Sequence, residues 1–125
     1  MIGLGTGRPI FLATGVTDLR RGINSLYALI LEQLAQEPLS GALFVFCNRR
    51  CDAVKIFCYD AGGVWICAKR LEEGTFRWPK AGERAVQLTA ADLHLLLSGV
   101  GPARTRLRRW WAPVPPAESP APPRR

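Results

Sequence analysis

The chain has 125 residues, of which 48% are hydrophobic and 22% are charged, and its formal net charge is +7. This length and composition are typical of one soluble globular domain that buries its core without disulfides or metals. No apolar run approaches the roughly 18 residues of a membrane span, and no secretory signal is visible. We therefore expect a cytoplasmic protein without membrane contact, whose four cysteines stay reduced.

The positive charge is unevenly distributed. Residues 102–125 hold six arginines and one glutamate, which gives +5, together with seven of the ten prolines. The first 101 residues hold eleven basic and nine acidic side chains, which gives only +2. Because proline at this density continues neither a helix nor a central strand, we predict one domain over 1–101 and a disordered Pro/Arg-rich tail over 102–125. The tail either only keeps the protein soluble or takes part in a contact.

The first predicted elements are a short strand over 9–15 and a helix over 17–36. Thr17 is a suitable N-cap for this helix, and Asp18 would lie in its first turn, where the helix dipole favours a carboxylate. Apolar residues recur at helical spacing along it, and Leu29 and Leu31 widen the apolar stripe. We therefore expect this helix to be largely covered.

Three strands are predicted next, at 42–47, 52–59 and 64–70, joined by short turns at 48–50 and 60–63. The segment 75–79 is a candidate fourth strand, and 89-TAAD-92 has the capping-box pattern that opens a second helix, ending at Gly99. These elements predict an α+β fold: an antiparallel meander of three to five strands with two helices packed on one face.

The four cysteines follow the pattern C-x3-C-x6-C-x8-C, which lacks the two-residue gaps of a zinc ribbon. If 52–59 is extended, Cys51 and Cys58 lie about 23 Å apart at roughly 3.3 Å per residue, whereas zinc–sulfur bonds are about 2.3 Å long. Cys47 could face Cys51, and Cys58 could face Cys67, but these are two separate pairs. We predict structural cysteines and neither a metal nor another cofactor.

No catalytic residues can be assigned. His94 is the only histidine, it falls off the leucine stripe of the second predicted helix, and no residue that would orient it is evident. Glu72 and Glu73 are adjacent and would diverge, while 3-GLGTG-7 has neither the preceding strand nor the spacing of a nucleotide loop. We therefore predict that the protein is not an enzyme.

Basic side chains near aromatic ones are the remaining functional signal. Arg49 and Arg50 lie in one turn, and four tryptophans are interspersed with the basic residues (Trp65, Trp78, Trp110 and Trp111). The candidates for phosphate contact are Arg49, Arg50, Lys69, Arg70, Arg77, Arg104, Arg106, Arg108 and Arg109. The alternative is that Trp65 and Trp78 belong to the core and the turn arginines are merely solvated.

Three segments, 16-VTDLRRGINSL-26, 38-PLSGALFVFCNRR-50 and 69-KRLEEGTFRWP-79, resemble a known family, with a further match at 93-LHLLLSG-99. This is the small accessory protein encoded by the second reading frame of insertion-sequence elements of the sixty-six type, which often carries a transposase label. The resemblance covers about residues 9–101. The matching positions are Asp18, Arg20, Arg21, Gly22, Arg49, Arg50, Lys55, Asp60, Lys69, Arg70, Leu71, Glu72, Phe76, Trp78 and Pro79.

The resemblance implies a role in DNA transposition beside a separate, larger transposase that carries the catalytic carboxylates. The chain departs from the family pattern by its cysteines at 47, 51 and 58 and by Ala53, where a basic residue is common. The implied partners are DNA at the element ends and the transposase. Binding to DNA would weaken steeply with salt, whereas an adaptor docking through apolar surface such as Leu29, Leu31 and the faces of the meander would hardly respond to salt.

Overall fold

The computed structural model describes residues 7–82 and 85–98 and, as backbone alone, 112–113. Over these residues it holds a six-stranded sheet of order β4-β3-β2-β1-β5-β6 and two α-helices. The strands are β1 (Ile10–Leu12), β2 (Leu43–Cys47), β3 (Ala53–Asp60), β4 (Gly63–Arg70), β5 (Val86–Leu88) and β6 (Ala112–Pro113); the helices are α1 (Ile23–Glu32) and α2 (Ala90–Leu97). The predicted α+β class is confirmed.

The predicted meander forms only part of the sheet. β2, β3 and β4 are antiparallel neighbours joined by short turns, as expected. On the other side of β2, however, β1 pairs with it in parallel, and β5 pairs antiparallel with β1. Parallel neighbours need a long crossover connection. Here the chain between Leu12 and Leu43 provides it, with α1 and a 3₁₀ turn at Pro38–Ser40, so the sheet begins with a βαβ unit.

The two helices cover opposite faces of the sheet. Side chains alternate along a strand, and every residue of β2 is buried. Leu43, Val45 and Cys47 belong to one core cluster, which α2 completes with Leu93 and Leu96. The intervening Phe44 and Phe46 belong to a second cluster, which α1 completes with Leu26 and Ile30. The expectation that both helices pack on one face was therefore wrong.

Helix α1 begins six residues later than predicted, at Ile23 with Gly22 as its N-cap. Thr17 does not cap it, because the Thr17 N–H donates to the Cys47 carbonyl at 2.7 Å and extends the chain beside β2. The Asp18 carboxylate accepts the Arg20 N–H at 3.0 Å, a local bond that competes with helix formation. The helix also ends earlier, at Glu32, and Ala35 beyond it has a positive φ of 55°.

The candidate strand at 75–79 is instead a loop fixed to the body of the domain. Phe76 is buried, and the Trp78 indole N–H donates to the Ala13 carbonyl at 2.9 Å. The Gly15 N–H in turn donates to the Pro79 carbonyl at 3.0 Å. The alternation of apolar residues in this segment reflects anchoring side chains rather than strand pairing.

The predicted tail is described at one place only. Residues 112–113 form β6, in which Pro113 pairs with Val86 and Ala112 with Gln87. This pairing shows that at least these two residues lie against the domain. The remainder of 102–125 lies outside the described residues, so the domain boundary at 101 and the disorder of the tail stay predictions.

The predicted capping box of α2 is confirmed. The Thr89 hydroxyl accepts the Asp92 N–H at 3.0 Å, and the Asp92 carboxylate accepts the Thr89 N–H at 3.4 Å. We predict that Thr89→Ala lowers the free energy of unfolding by about 1 kcal/mol, because the Asp92 N–H at the helix start loses its acceptor. Urea denaturation measures this loss. Thr89→Ser is the matched control and should stay close to the native value.

Candidate nucleic-acid interface

The turn between β2 and β3 is organised by Asn48. Its side-chain oxygen accepts the N–H groups of Asp52 and Ala53, at 3.0 and 3.1 Å, and its side-chain nitrogen donates to the Asp52 carboxylate at 2.8 Å. The Cys51 N–H donates to the Asn48 carbonyl at 3.1 Å, and Cys51 has a positive φ of 58°. These bonds define the backbone on both sides of the two residues at the tip, Arg49 and Arg50.

The loop after β4 supports this turn from outside the sheet. The Leu71 N–H donates to the Asp52 carbonyl at 2.8 Å, and the Phe76 N–H donates to the Cys51 carbonyl at 2.7 Å. Because Phe76 is itself buried in the core cluster on the α2 face, the support is anchored rather than free to move with the turn. The Arg49–Arg50 tip is thus followed by backbone that is hydrogen-bonded to the body of the domain.

A cleft of about 560 Å³ opens between this turn and the segment preceding α1. We call it the arginine cleft. It is lined by Val16, Thr17, Asp18, Leu19, Arg20, Asn48, Arg49 and Arg50. The bond from the Thr17 N–H to the Cys47 carbonyl holds the two walls together at the end of β2.

The charges in the arginine cleft are only partly balanced. Asp18 pairs with Arg20 through two contacts of 3.0 Å, one from Nε and one from Nη2. This pairing lowers the pKa of the Asp18 carboxyl to about 2. Arg49 and Arg50 are exposed, and neither bonds or ion-pairs with any residue of 7–82 or 85–98. Three arginines against one aspartate leave the cleft with a local charge of +2.

The comparisons with known proteins agree with the resemblance found in the sequence. The family described as IS66 Orf2 like protein matches residues 8–107. The chain belongs to this family. Two relatives come from Sinorhizobium fredii (strain NBRC 101917 / NGR234), and both are named there as uncharacterized proteins. The chain is similar to y4jC, with 35% identity over 85% of this chain and 91% of the relative. It is likewise similar to y4hO, with 39% identity over 80% of this chain and 87% of the relative. No solved structure matches.

Membership in the IS66 Orf2 like family associates the protein with insertion-sequence transposition in an accessory role. The three sequence segments that carry the resemblance meet at one end of the sheet. Segments 16–26 and 38–50 supply the two walls of the arginine cleft, and segment 69–79 supplies the loop that supports the turn. Residues far apart in the chain are thus brought into one structural unit.

The other predicted basic residues on the body lie near the same end of the sheet without lining the cleft. Arg70 pairs with Ala53 at the start of β3, and exposed Arg77 follows the anchored Phe76. Lys69 donates from Nζ to the Leu97 carbonyl at 2.8 Å, so this lysine also stabilises the carboxyl end of α2. Four further candidates, Arg104, Arg106, Arg108 and Arg109, lie outside the described residues.

Neither tryptophan in the described part of the chain lines the arginine cleft. Trp78 packs against the core, in agreement with the structural interpretation of this residue. Trp65 is 46% exposed on β4, so its assignment to the core was wrong. Trp110 and Trp111 lie outside the described residues. Among the described residues, the lining of the arginine cleft is charged, polar or aliphatic and includes no aromatic side chain.

All four cysteines are free thiols, and each contacts the core cluster on the α2 face. Burial is the main cause that raises the pKa of the Cys47 thiol, and the neighbouring Cys51 raises it further. Cys58 lies opposite Trp65 and Cys67 opposite Ile56, so the expected pair across the second hairpin is offset by two residues. Within the described ranges, no three His, Cys, Asp or Glu side chains are arranged to hold a metal ion.

Two further observations concern His94 and the two helices. His94 is exposed, as its position off the leucine stripe indicated. Neither helix in the described part of the chain has the length and hydrophobicity needed to cross a membrane.

Sequence reasoning missed one wall of the cleft and the residue that shapes the other. The predicted helix over 17–36 includes segment 17–20, and this prediction hid the position of the segment beside the turn. The sequence contained a signal that the helix begins later. A polar run ends in Gly22, and no apolar residue lies between Leu19 and Ile23. Asn48 was seen only as part of a basic turn, although asparagine before a turn commonly bonds the backbone that follows it.

We predict that Asn48→Ala lowers the free energy of unfolding by about 1–3 kcal/mol, because two backbone N–H groups and the Asp52 carboxylate lose their partner. Urea denaturation measures the loss, and hydrogen exchange should accelerate at the amides of Asp52 and Ala53. Asn48→Asp keeps the acceptor for both amides but sets a second carboxylate against that of Asp52, so it should protect these amides better than the alanine variant and still be less stable than the native protein. Unchanged exchange in the alanine variant would show that the turn does not depend on this side chain.

The Asp18–Arg20 pair predicts a pH dependence. The folded-state pKa of Asp18 is about 2, below its usual value of 3.8. The pair therefore stabilises the fold above about pH 4, and this contribution is lost as the pH falls through 2. Carboxyl NMR titration should place the Asp18 midpoint near 2, and Arg20→Ala should return it toward 3.8. A midpoint near the usual value in the native protein would contradict the pairing.

Proposed function

We propose that this IS66 Orf2 like protein acts in transposition as a non-enzymatic DNA-binding protein that recognises the element ends. The arginine cleft is the proposed phosphate-binding site on the body of the domain. Arg70, Arg77 and Lys69 extend the cationic surface around it, and the four arginines at 104–109 add contacts to the backbone of the duplex.

The observation that carries this proposal is the position of Arg49 and Arg50 at the tip of a turn that is held by hydrogen bonds. The residues that follow them in the turn are held by three side-chain bonds from Asn48 and by two main-chain bonds from the loop after β4. Their guanidinium groups are exposed and have no partner among the residues that the structure describes. Guanidinium groups bind phosphate through two parallel hydrogen bonds. When the backbone that carries them is held in place, this geometry forms at low entropic cost.

The surrounding groups support binding of an anion rather than of an apolar ligand. Arg20 shares the cleft, and its pairing with Asp18 raises the pKa of the guanidinium further and fixes its orientation. Contacts to phosphate set the position and register of a protein on a duplex, whereas base edges supply sequence information. Fixed arginines are therefore suited to set register at a defined DNA end.

An adaptor that binds the transposase is the second candidate function, and the surface of α1 favours it. Ile23 and Leu31 are each 45% exposed, and they flank Tyr27 at spacings of four residues along one side of the helix. Leu29, in contrast, packs against the core on the α1 face. Both faces of β2 and half of the residues of β3 are buried, so this surface is smaller than the sequence indicated.

We predict different effects for the two sets of arginines in DNA titrations at several salt concentrations. The variant Arg49→Ala with Arg50→Ala should lose preference for element ends over random DNA, because the fixed contacts that set register are removed. Replacing Arg104, Arg106, Arg108 and Arg109 should weaken binding to both DNAs alike. That change should flatten the salt slope by up to about 0.9 for each phosphate that is no longer neutralised.

The matched control is Arg49→Lys with Arg50→Lys, which keeps both charges but removes the guanidinium fork. It should retain the salt slope and lose part of the end preference. Lys80→Ala removes an exposed cation outside the cleft and should change little. If the alanine variant binds both DNAs as the native protein does while Leu31→Ser abolishes capture of the transposase, the protein is an adaptor and DNA binding by the cleft is wrong.

A further inference from the structure

Among the residues that the structure describes, the β4 strand forms one edge of the sheet, since β3 is its single neighbour in the strand order. It is eight residues long, contains no proline, and pairs with β3 in unbroken register from Asp60–Gly63 to Ala53–Arg70. Long, regular and exposed edges readily pair with another strand. The only charged residues of β4 are Lys69 and Arg70, at its last two positions.

The hairpin between β3 and β4 determines which β4 residues bond to β3 and which direct their backbone groups away from it. Ala61 and Gly62 both have positive φ, as in a two-residue hairpin turn whose flanking residues, Asp60 and Gly63, exchange hydrogen bonds. The Leu71 N–H donates to the Asp52 carbonyl at 2.8 Å and fixes the same alternation at the other end. The odd-numbered residues of β4 thus bond to β3. The backbone groups of Val64, Ile66, Ala68 and Arg70 point away from the sheet.

We propose that β4 pairs antiparallel with β4 of a second copy of this chain, around a two-fold axis at Cys67. In this register Ile66 exchanges hydrogen bonds with Ala68 of the second copy, and Val64 exchanges them with Arg70. Every outward-facing backbone group of both strands then has a partner. Centring the axis on Ile66 instead would leave the outward groups of Arg70 opposite the hairpin turn.

The side chains of this register are compatible with a second copy as the occupant. Trp65, which is 46% exposed, lies opposite Lys69 of the other copy, whose aliphatic stem can cover the indole while its Nζ keeps the bond to the Leu97 carbonyl. The two Lys69 residues lie about four positions apart along the strands, or roughly 13 Å. This distance exceeds the screening length at physiological salt. Like charges therefore do not meet, and the charged ends of β4 do not prevent pairing.

Pairing would also define how the proposed DNA sites are arranged, a consequence that rests on the proposed function. The arginine cleft lies at the end of the sheet where β4 finishes. Antiparallel pairing places the two clefts at opposite ends of one continuous sheet. A dimer then presents two DNA-binding sites that face in opposite directions, as bridging of two DNA segments requires.

Sedimentation equilibrium of the full chain in reducing buffer without DNA tests the pairing. The expected mass at high concentration is twice the 13.8 kDa of one chain. Ala68→Pro removes one outward N–H per copy, at a position where an edge strand tolerates proline. This change should raise the dimer dissociation constant by at least about tenfold, since two hydrogen bonds are lost. Ala68→Ser keeps the N–H and should dimerise as the native chain does.

A second measurement tests the register. Facing residues of a non-hydrogen-bonded pair have Cα atoms about 4.5 Å apart, within the roughly 4.4–6.8 Å that a disulfide spans. Diamide, which takes up the two thiol hydrogens, should therefore link Cys67 to Cys67 of the second copy. Cys67→Ser should abolish the covalent dimer, and Cys51→Ser should keep it.

A monomer at all concentrations, a dimer unaffected by Ala68→Pro, or a covalent dimer that survives Cys67→Ser would each overturn the proposal. Because these measurements contain no DNA, their outcome is independent of the test of the arginine cleft. If Ala68→Pro fails to fold, as judged by circular dichroism, the cross-link through Cys67 decides.

Discussion

The burial of β2 on both faces is the constraint on which the rest of this structure depends. All five of its residues are apolar or cysteine, and none of them is exposed. Each face needs its own cover, which α1 and α2 provide from opposite sides. The parallel pairing of β1 with β2 follows as well, because the chain crosses one face as α1 before it returns as β2. The turn that carries Arg49 and Arg50 begins where this strand ends, so the candidate site starts from the fully buried strand of the sheet.

Much of the sheet could be predicted from the sequence because its strands lie close together in the chain. Residues 42–70 alternate runs of aromatic and β-branched residues with short polar turns, and antiparallel pairing follows from the short connections. The distribution of the helices could not be inferred from those connections. The signal was in 43-LFVFC-47, which shows no polar alternation and is typical of a strand covered on both faces. β5 was missed because three residues carry too short a pattern.

Only one of the two walls of the arginine cleft could be predicted from the sequence. The position of Arg49 and Arg50 in a turn follows from local sequence, but the opposite wall of the cleft lies about thirty residues earlier in the chain. The local bonds of Asp18 stop the helix there, against its favourable spacing of apolar residues. The family resemblance identified all three segments, yet it did not indicate that they meet at one end of the sheet. That convergence depends on tertiary contacts such as those of Phe76 and Trp78.

At the end of the sheet that carries the arginine cleft, the polar side chains fall into two groups. Some form hydrogen bonds within the domain, and others do not. Asn48, Asp52 and the indole N–H of Trp78 all form hydrogen bonds within the domain. Lys69 closes the end of α2, and Arg8 bonds the Gly41 and Tyr59 carbonyls and the Asp60 carboxylate at the other end of the sheet. Arg49 and Arg50, by contrast, place two adjacent like charges on a fixed turn, where they repel each other and support no described contact. Within the described residues neither arginine stabilises the fold through a contact, and this observation motivates the proposal of an anionic partner.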